Sequence, residues 1–295
     1  SYIDKELLDH IYGKTRNCKY LFVGDPSQLL SVGSDTPVVF ESGIPYARLN
    51  KVVRQAEDNP IIDLSTRFRK TVDSGKFFDY KPDGQAILNL TEKEFRKEIL
   101  KEFTDPKWHF HRSKVLAWTN RAVMAYNHWI SEHVVGRVEF QAGDYAICNR
   151  YVSKTHGVET HRIKTDALVH ITSVSAETER FCYRGRNYVL DDGAEFFGPL
   201  DIESHEQALH WAISSKNREA AREIDREWVD LRPAYACTVN KSQGSTFERV
   251  FIDLNDISRC RDESQVARML YVAVSRASKQ VILLGELDRF VKIFN

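Results

Sequence analysis

No run of about 18 apolar residues occurs in the 295 positions, so the sequence offers no membrane-spanning helix. It opens on a serine, with no basic stretch leading into an apolar one, and nothing there reads as a secretory leader. No C-x-x-C pair is present. Five cysteines, Cys18, Cys148, Cys182, Cys237 and Cys260, are odd in number and widely spaced. That usage points to reduced thiols in a cytoplasmic protein rather than to a disulfide framework. His109 and His111 form the only tight histidine pair, and no cysteine lies near them, which reads as surface histidines rather than a metal site. Charge of either sign is not in excess, with 42 Lys and Arg against 42 Asp and Glu. This excludes a histone-like mode of nucleic-acid binding but leaves room for a local basic groove. Internal repeats and low-complexity segments are absent as well.

What remains is ordinary globular composition, 42% apolar and 28% charged, in a chain long enough for about two domains. Ile3, Leu7, Leu8 and Ile11 share one face of a helix over 4–12. Lys19–Val23 reads as a short strand of the buried type. Pro60 suits the first turn of a helix over 60–73. Thr91 and Glu94 have the spacing of a capping box, opening a helix to about Phe103. Val115–Trp118 reads as a strand, and Asn120 as the cap of a helix to about Val134. From about 140 to 190, glycine turns separate short β-rich runs ("DYAICNRYV", "ALVHITSV", "RFCYRG", "NYVL"), as in a small antiparallel sheet or barrel. Helix with dense mixed charge returns over 203–229, read mainly as a solvated face. Strands at Ala234–Val239, Val250–Leu254 and Val281–Leu284, a helix near 264–273 and a terminal helix complete the pattern. Alternating strand and helix on either side of a β-rich insert implies α/β domains carrying an all-β insertion.

Three stretches carry chemistry. In "YLFVGDPSQLLSVG" (20–33) an apolar run breaks into Gly24-Asp25-Pro26, and Gln28 follows. An amide at the carboxyl end of a strand lies where α/β sheets bind ligands, and it can both donate and accept. In "TVNKSQGSTFERVFIDL" (238–254), Thr238 and Lys241 can meet phosphate oxygens. Gln243-Gly244 makes a tight polar turn, and Glu248 can accept from a ribose hydroxyl. In "LYVAVSRASKQVILLG" (270–285), Arg276 stands just beyond an apolar run on a rigid element, which suits an arginine that neutralises a transferring phosphoryl group.

In this order the three resemble motifs III, V and VI of superfamily 1 helicases, and most of all the RecD/Dda-type branch. "VVRQAEDNPIIDLSTRFRKT" (52–71) resembles the motif IV segment, with Arg54 in the place of its phosphate-contacting arginine. "VLAWTNRAVMAYN" (115–127) resembles the segment in which a Thr-Asn pair, here Thr119 and Asn120, touches the DNA backbone. Leu29-Leu30 and Gln55 depart from the commoner residues of relatives without removing a charged catalytic group.

The resemblance implies RecA-like domains: the end of a first over 1–55, and a complete second over 56–139 and 231–295. An inserted SH3-like β-rich module with a helical segment would occupy 140–230. It implies ATP as substrate, contacted by Gln28, Arg54, Gly244, Glu248 and Arg276, of which Gln28, Arg54 and Arg276 would be catalytic. Single-stranded DNA would be held through Thr119, Asn120, Thr238 and Lys241, movement would run 5′→3′ toward fork DNA, and the setting would be a bacterial or phage-infected cell.

One part of such an enzyme is missing. The phosphate-cradling loop needs G-x-x-x-x-G-K-[ST]. Around Gly13-Lys14-Thr15 the earlier glycine falls on Leu8, and Gly75-Lys76-Phe77 fails too. No Asp-Glu ends a buried strand, so magnesium ligands are expected in a separate amino-terminal portion. Ser1-Tyr2-Ile3-Asp4 resembles the point just after motif II. A piece of a longer chain, a naturally split enzyme and the downstream product of an intein all fit this. The alternative function is a non-catalytic DNA-binding or adaptor module derived from a helicase.

Overall fold

The computed structural model describes residues 3–14, 17–30, 37–47, 59–157, 159–201 and 203–287. Arg54 and the expected terminal helix lie outside them. In chain order come α1 (Lys5–Lys14), a single turn α2 (Val38–Glu41), α3 (Pro60–Ser74), β1 (Ile87–Leu90), α4 (Glu92–Phe103) and β2 (Ser113–Ala117). Next are α5 (Asn120–Ile130), a π-type turn (Ser131–Val135), and the strands β3 (Tyr145–Cys148), β4 (Val152–His156) and β5 (Glu159–Ile163). β6 (Ala167–Val174), β7 (Thr178–Arg180), β8 (Tyr183–Leu190) and β9 (Glu195–Pro199) lead into α6 (Glu203–Ser214) and α7 (Arg218–Glu227). Last come β10 (Leu231–Arg232), β11 (Ala236–Thr238), β12 (Phe247–Asp253), α8 (Leu254–Ile257), α9 (Glu263–Ser275) and β13 (Ala277–Leu284).

The chain divides into two compact units, Ser1–Met124 with Ala236–Asn295, and Ala125–Tyr235. Residues 125–139 therefore cluster with the β-rich segment. The first unit is a mixed α/β layer built on a parallel sheet of order β1-β13-β12-β2-β11. A parallel sheet is covered on both faces, and β12 is patterned for it. Val250 and Ile252 pack into the core that holds Ile61, Leu64 and Phe68 of α3 and Met269, Leu270 and Ala273 of α9. Phe251 points the other way, edge-on to Phe95 of α4 at 5.7 Å and beside Phe103.

The helix signals work as their chemistry dictates. Asn59 caps α3 by accepting from Ile61 N, with Pro60 at the first helical position. Thr91 and Glu94 close the capping box of α4. The cap of α5 is Thr119, whose hydroxyl accepts from Ala122 N at 3.2 Å, rather than the expected Asn120, which is the first helical residue. Lys19–Val23 is not a strand. A strand exists only through a ladder, and no described segment pairs with this one. Leu21 and Val23 are each 89% exposed, while Tyr20 and Phe22 stack at 6.2 Å beside Tyr12 of α1.

The second unit is antiparallel, of order β10-β3-β6-β8-β7 with β9 on β8, and β4–β5 form a separate hairpin. Ala146, Cys148, Ile171, Tyr188, Leu190 and Phe196 make its sheet core. Trp228 and Phe197 form a second apolar cluster with Ala208 and Ala212 of α6 and Ile224 of α7. A side chain at Gly185 would run into the Phe197 ring, which explains a glycine inside β8. His205 of α6 is held neutral between neighbours. Its Nε2 donates to Ile224 O at 2.9 Å, and its Nδ1 accepts from Arg150 at 2.8 Å. Burial, then the Arg150 charge, pulls its pKa down to about 4.

Candidate functional site

The Gly24–Leu30 stretch forms a tight turn, as Asp-Pro-Ser-Gln predicts. Asp25 Oδ1 accepts from Ser27 N at 3.0 Å, and Gln28 N donates to Asp25 O at 3.2 Å. Leu29 follows into the core at 2% exposure and anchors the turn. Two other segments meet it there.

The first is α9. Tyr271 donates its hydroxyl to Asp25 Oδ2 at 2.7 Å, and Arg268 donates to the carbonyls of Pro26 and Gln28, the latter at 2.8 Å. Arg69 of α3 lies 3.7 Å from Asp25. Burial, and then the bond to Asp25, raises the Tyr271 pKa to about 12, while the charges of Arg69 and Arg276 oppose that rise. Desolvation lowers the pKa of Arg268.

The second is the coil of turns over Val239–Ser245. Ser242 N, Gln243 N and Ser245 N donate back along the chain to Thr238 O, Asn240 O and Ser242 O. Gly244 sits at φ +84, the left-handed region such a coil needs at its end. This places Gln243 Nε2 3.4 Å from Gln28 Oε1, across 215 positions of sequence. The buried Gln243 Oε1 has no hydrogen-bond partner among the described residues.

Arg276 ends α9 and is 2% exposed. Its guanidinium donates to Val272 O (3.1 Å), Ser245 O (3.1 Å) and Ser275 Oγ (2.9 Å). It thus ties the 239–245 coil to α9 and turns into its own unit. Glu248, read as a ribose acceptor, is paired with Lys279 at 2.9 Å, and that bond lowers its pKa.

A different cluster gathers at the carboxyl ends of β2 and β11, where Ala117 and Thr238 are register partners. Asp256, 3% exposed, accepts from Trp118 N (2.9 Å), Thr119 N (2.8 Å) and Thr119 Oγ1 (2.9 Å). The Thr119 hydroxyl, expected to reach phosphate, is therefore spent on Asp256 and on capping α5. Asn120 beside it is exposed. Thr238 is buried and accepts from Lys241 N at 3.3 Å, and Lys241 itself is exposed. Four of the expected DNA-contact residues thus share one edge of the sheet, with Asn120 and Lys241 facing water.

Residues 233–284 match the UvrD-like helicase C-terminal domain. The matched segment holds Thr238, Lys241, Gln243, Gly244, Glu248, Arg268, Tyr271 and Arg276, and so the α9 side of the turn cluster and part of the sheet edge. Among solved structures, the chain is similar to a Pif1 helicase from Bacteroides in complex with ADP-AlF3 and ssDNA. Identity is 15% over 92% of this chain and 63% of that one, with a TM-score of 0.43. A Pif1 helicase from Candida albicans is also 15% identical, over 82% of this chain and 57% of that one, with a TM-score of 0.32. The chain thus spans less than two thirds of either, and at these scores the fold rests on its own sheet rather than on the likenesses.

Asp25, Arg69, Asp256, Arg268 and Tyr271 were not singled out by sequence pattern. For Arg268 and Tyr271 a signal existed, since polar residues three apart on an otherwise apolar helix face something polar. Asp256 gave none. Among the described residues no group of three or more His, Cys, Asp or Glu could hold a metal ion. Nor is any described helix long and apolar enough to cross a membrane.

Proposed function

We propose that this chain is the carboxyl-terminal part of an ATP-dependent DNA helicase of the RecD/Dda-type branch, moving 5′→3′ on single-stranded DNA to unwind forks. The 1–55 stretch closes a first RecA-like domain, and 56–139 with 231–295 make the second. The 140–230 insert is an SH3-like module. One observation carries the reading: Gln28 meets Gln243, inside the matched segment, at the turn that α9 holds. A neutral amide there supplies little charge stabilisation, but its hydrogen bonds can change when a terminal phosphate leaves.

ATP enters as substrate, facing Gln28, Arg54, Gly244, Glu248 and Arg276. The orphaned Gln243 Oε1 fits a polar ligand at this cluster. Magnesium finds no ligand group among the described residues, so no step here runs through it. The phosphate-cradling loop and the acidic pair belong to a separate amino-terminal portion, which the unpaired, exposed Leu21 and Val23 would adjoin. At the sheet edge, Asn120 and Lys241 would hold DNA phosphates without regard to sequence, on the platform that Thr119 and Thr238 shape.

A second reading, a non-catalytic DNA-binding adaptor, is favoured by the burial of Arg276 among acceptors of its own unit. ATP turnover separates the two. This chain alone is expected to hydrolyse none, and to do so, stimulated by DNA, once the phosphate-loop portion is supplied. In that reconstituted enzyme Arg276→Ala cuts turnover by about 10³–10⁵, and Arg276→Lys rescues poorly because an ammonium lacks the planar fork. Turnover near wild type in Arg276→Ala, with DNA binding retained, favours the adaptor.

A further inference from the structure

The turn that carries Gln28 closes without help, through Ser27 N to Asp25 Oδ1 and Gln28 N to Asp25 O. Yet α9 adds two further fixings from one of its faces. Tyr271 takes the remaining oxygen of Asp25, and Arg268 takes two backbone carbonyls that flank Ser27. Both side chains lose water to do so, which is a cost with no return in closing the turn. The return is orientation. With Asp25 held at both oxygens, and the carbonyls of Pro26 and Gln28 held by one guanidinium, the backbone under Gln28 is tied to α9 on both sides of Ser27. The side chain of Gln28 is not: its contact to Gln243 is long, at 3.4 Å.

We infer that Arg268 and Tyr271 are positioning residues that clamp the Asp25–Gln28 turn to α9. Through them the Gln28 amide moves with the helix that ends in Arg276, while its side chain stays free to exchange partners. This rests on the helicase reading for what Gln28 faces, though not for the clamp itself. Arg69 adds an ion pair to the same carboxylate from α3, at 3.7 Å.

Two measurements test it. The first uses this chain alone and follows hydrogen–deuterium exchange over residues 24–30. Tyr271→Phe keeps the ring and loses one hydroxyl, and Arg268→Met keeps the side chain's length and loses the Nη1 that makes both carbonyl bonds. Each is expected to speed exchange there about tenfold or more, the loss of at least one hydrogen bond of about 1–1.5 kcal/mol, while the sheet strands are unmoved. Unchanged exchange over 24–30 overturns the clamp.

The second uses the chain supplied with its phosphate-loop portion. Tyr271→Phe lowers the kcat of DNA-stimulated ATP hydrolysis about tenfold and leaves the KM for ATP within about twofold. Combined with Gln28→Ala it causes no further loss, because both act through one amide. Additive losses overturn the positioning role. Should the wild-type mixture hydrolyse no ATP, the helicase reading falls, and the exchange result still decides the clamp.

Discussion

Two polar clusters stand in the same unit and are built on opposite plans. Around Asp256 the carboxylate is 3% exposed, both of its oxygens are engaged by two backbone amides and a hydroxyl, and Arg259 approaches it at 3.9 Å. Around Gln28 the backbone is fixed but the side chains are not: one long amide contact, one orphaned oxygen on Gln243, and unpartnered Nε atoms on Arg69 and Arg268. A satisfied buried network has one arrangement, whereas an unsatisfied one has alternatives of similar energy. The first cluster is a brace that fixes where Asn120 points. The second leaves buried polar atoms without a hydrogen-bond partner among the described residues.

The contrast breaks most readily at Asp256. Asp256→Ala strands the amides of Trp118 and Thr119 and is expected to cost about 3 kcal/mol of unfolding free energy, measured by denaturant titration. Gln28→Ala, measured alongside, should shift stability by less than about 0.5 kcal/mol. Equal losses would mean that both clusters are braces. A braced cluster in the other unit extends the comparison to pH. His205 has a folded pKa of about 4 against an ordinary 6.5, so the unfolded chain takes up the proton first as pH falls. Stability is full well above pH 6.5 and declines toward pH 4 by about 1–2 kcal/mol, the ring's partial exposure screening the rest. In His205→Gln that slope should flatten, and an unaltered slope would assign the titration elsewhere. The smallest effect is expected at Lys241. Its replacement by alanine should lower the log–log salt slope of single-strand binding by roughly 0.7, equally for all sequences. A slope that stays put would remove Lys241 from the sheet edge's phosphate contacts.

Local chemistry in this sequence announced itself. The Pro60 helix start, the Thr91 capping box, the Asp-Pro turn and four of the five strands of the parallel sheet follow from residues next to one another, whereas β1 at Ile87–Leu90 left no turn or periodicity to read. What did not show was partnership. "KYLFV" and "SKVLA" are similar apolar runs, but β2 has β11 and β12 beside it and Lys19–Val23 has no described neighbour. Thr119 reads as a phosphate contact until Asp256, 137 positions away, takes its hydroxyl. Arg276 reads as a free finger until the carbonyl of Ser245 takes one arm. Each miss is a long-range bond with no local trace.

Leu21 and Val23 carry a practical consequence. They stand on one side of an extended stretch, Tyr20–Val23, that has no ladder partner among the described residues, with aromatic rings on the other side. Such a stretch templates strand addition by any chain that drifts past, including another molecule of the same kind. A lysine in place of Val23, pointing where nothing packs, would work as a gatekeeper against clumping without disturbing either cluster.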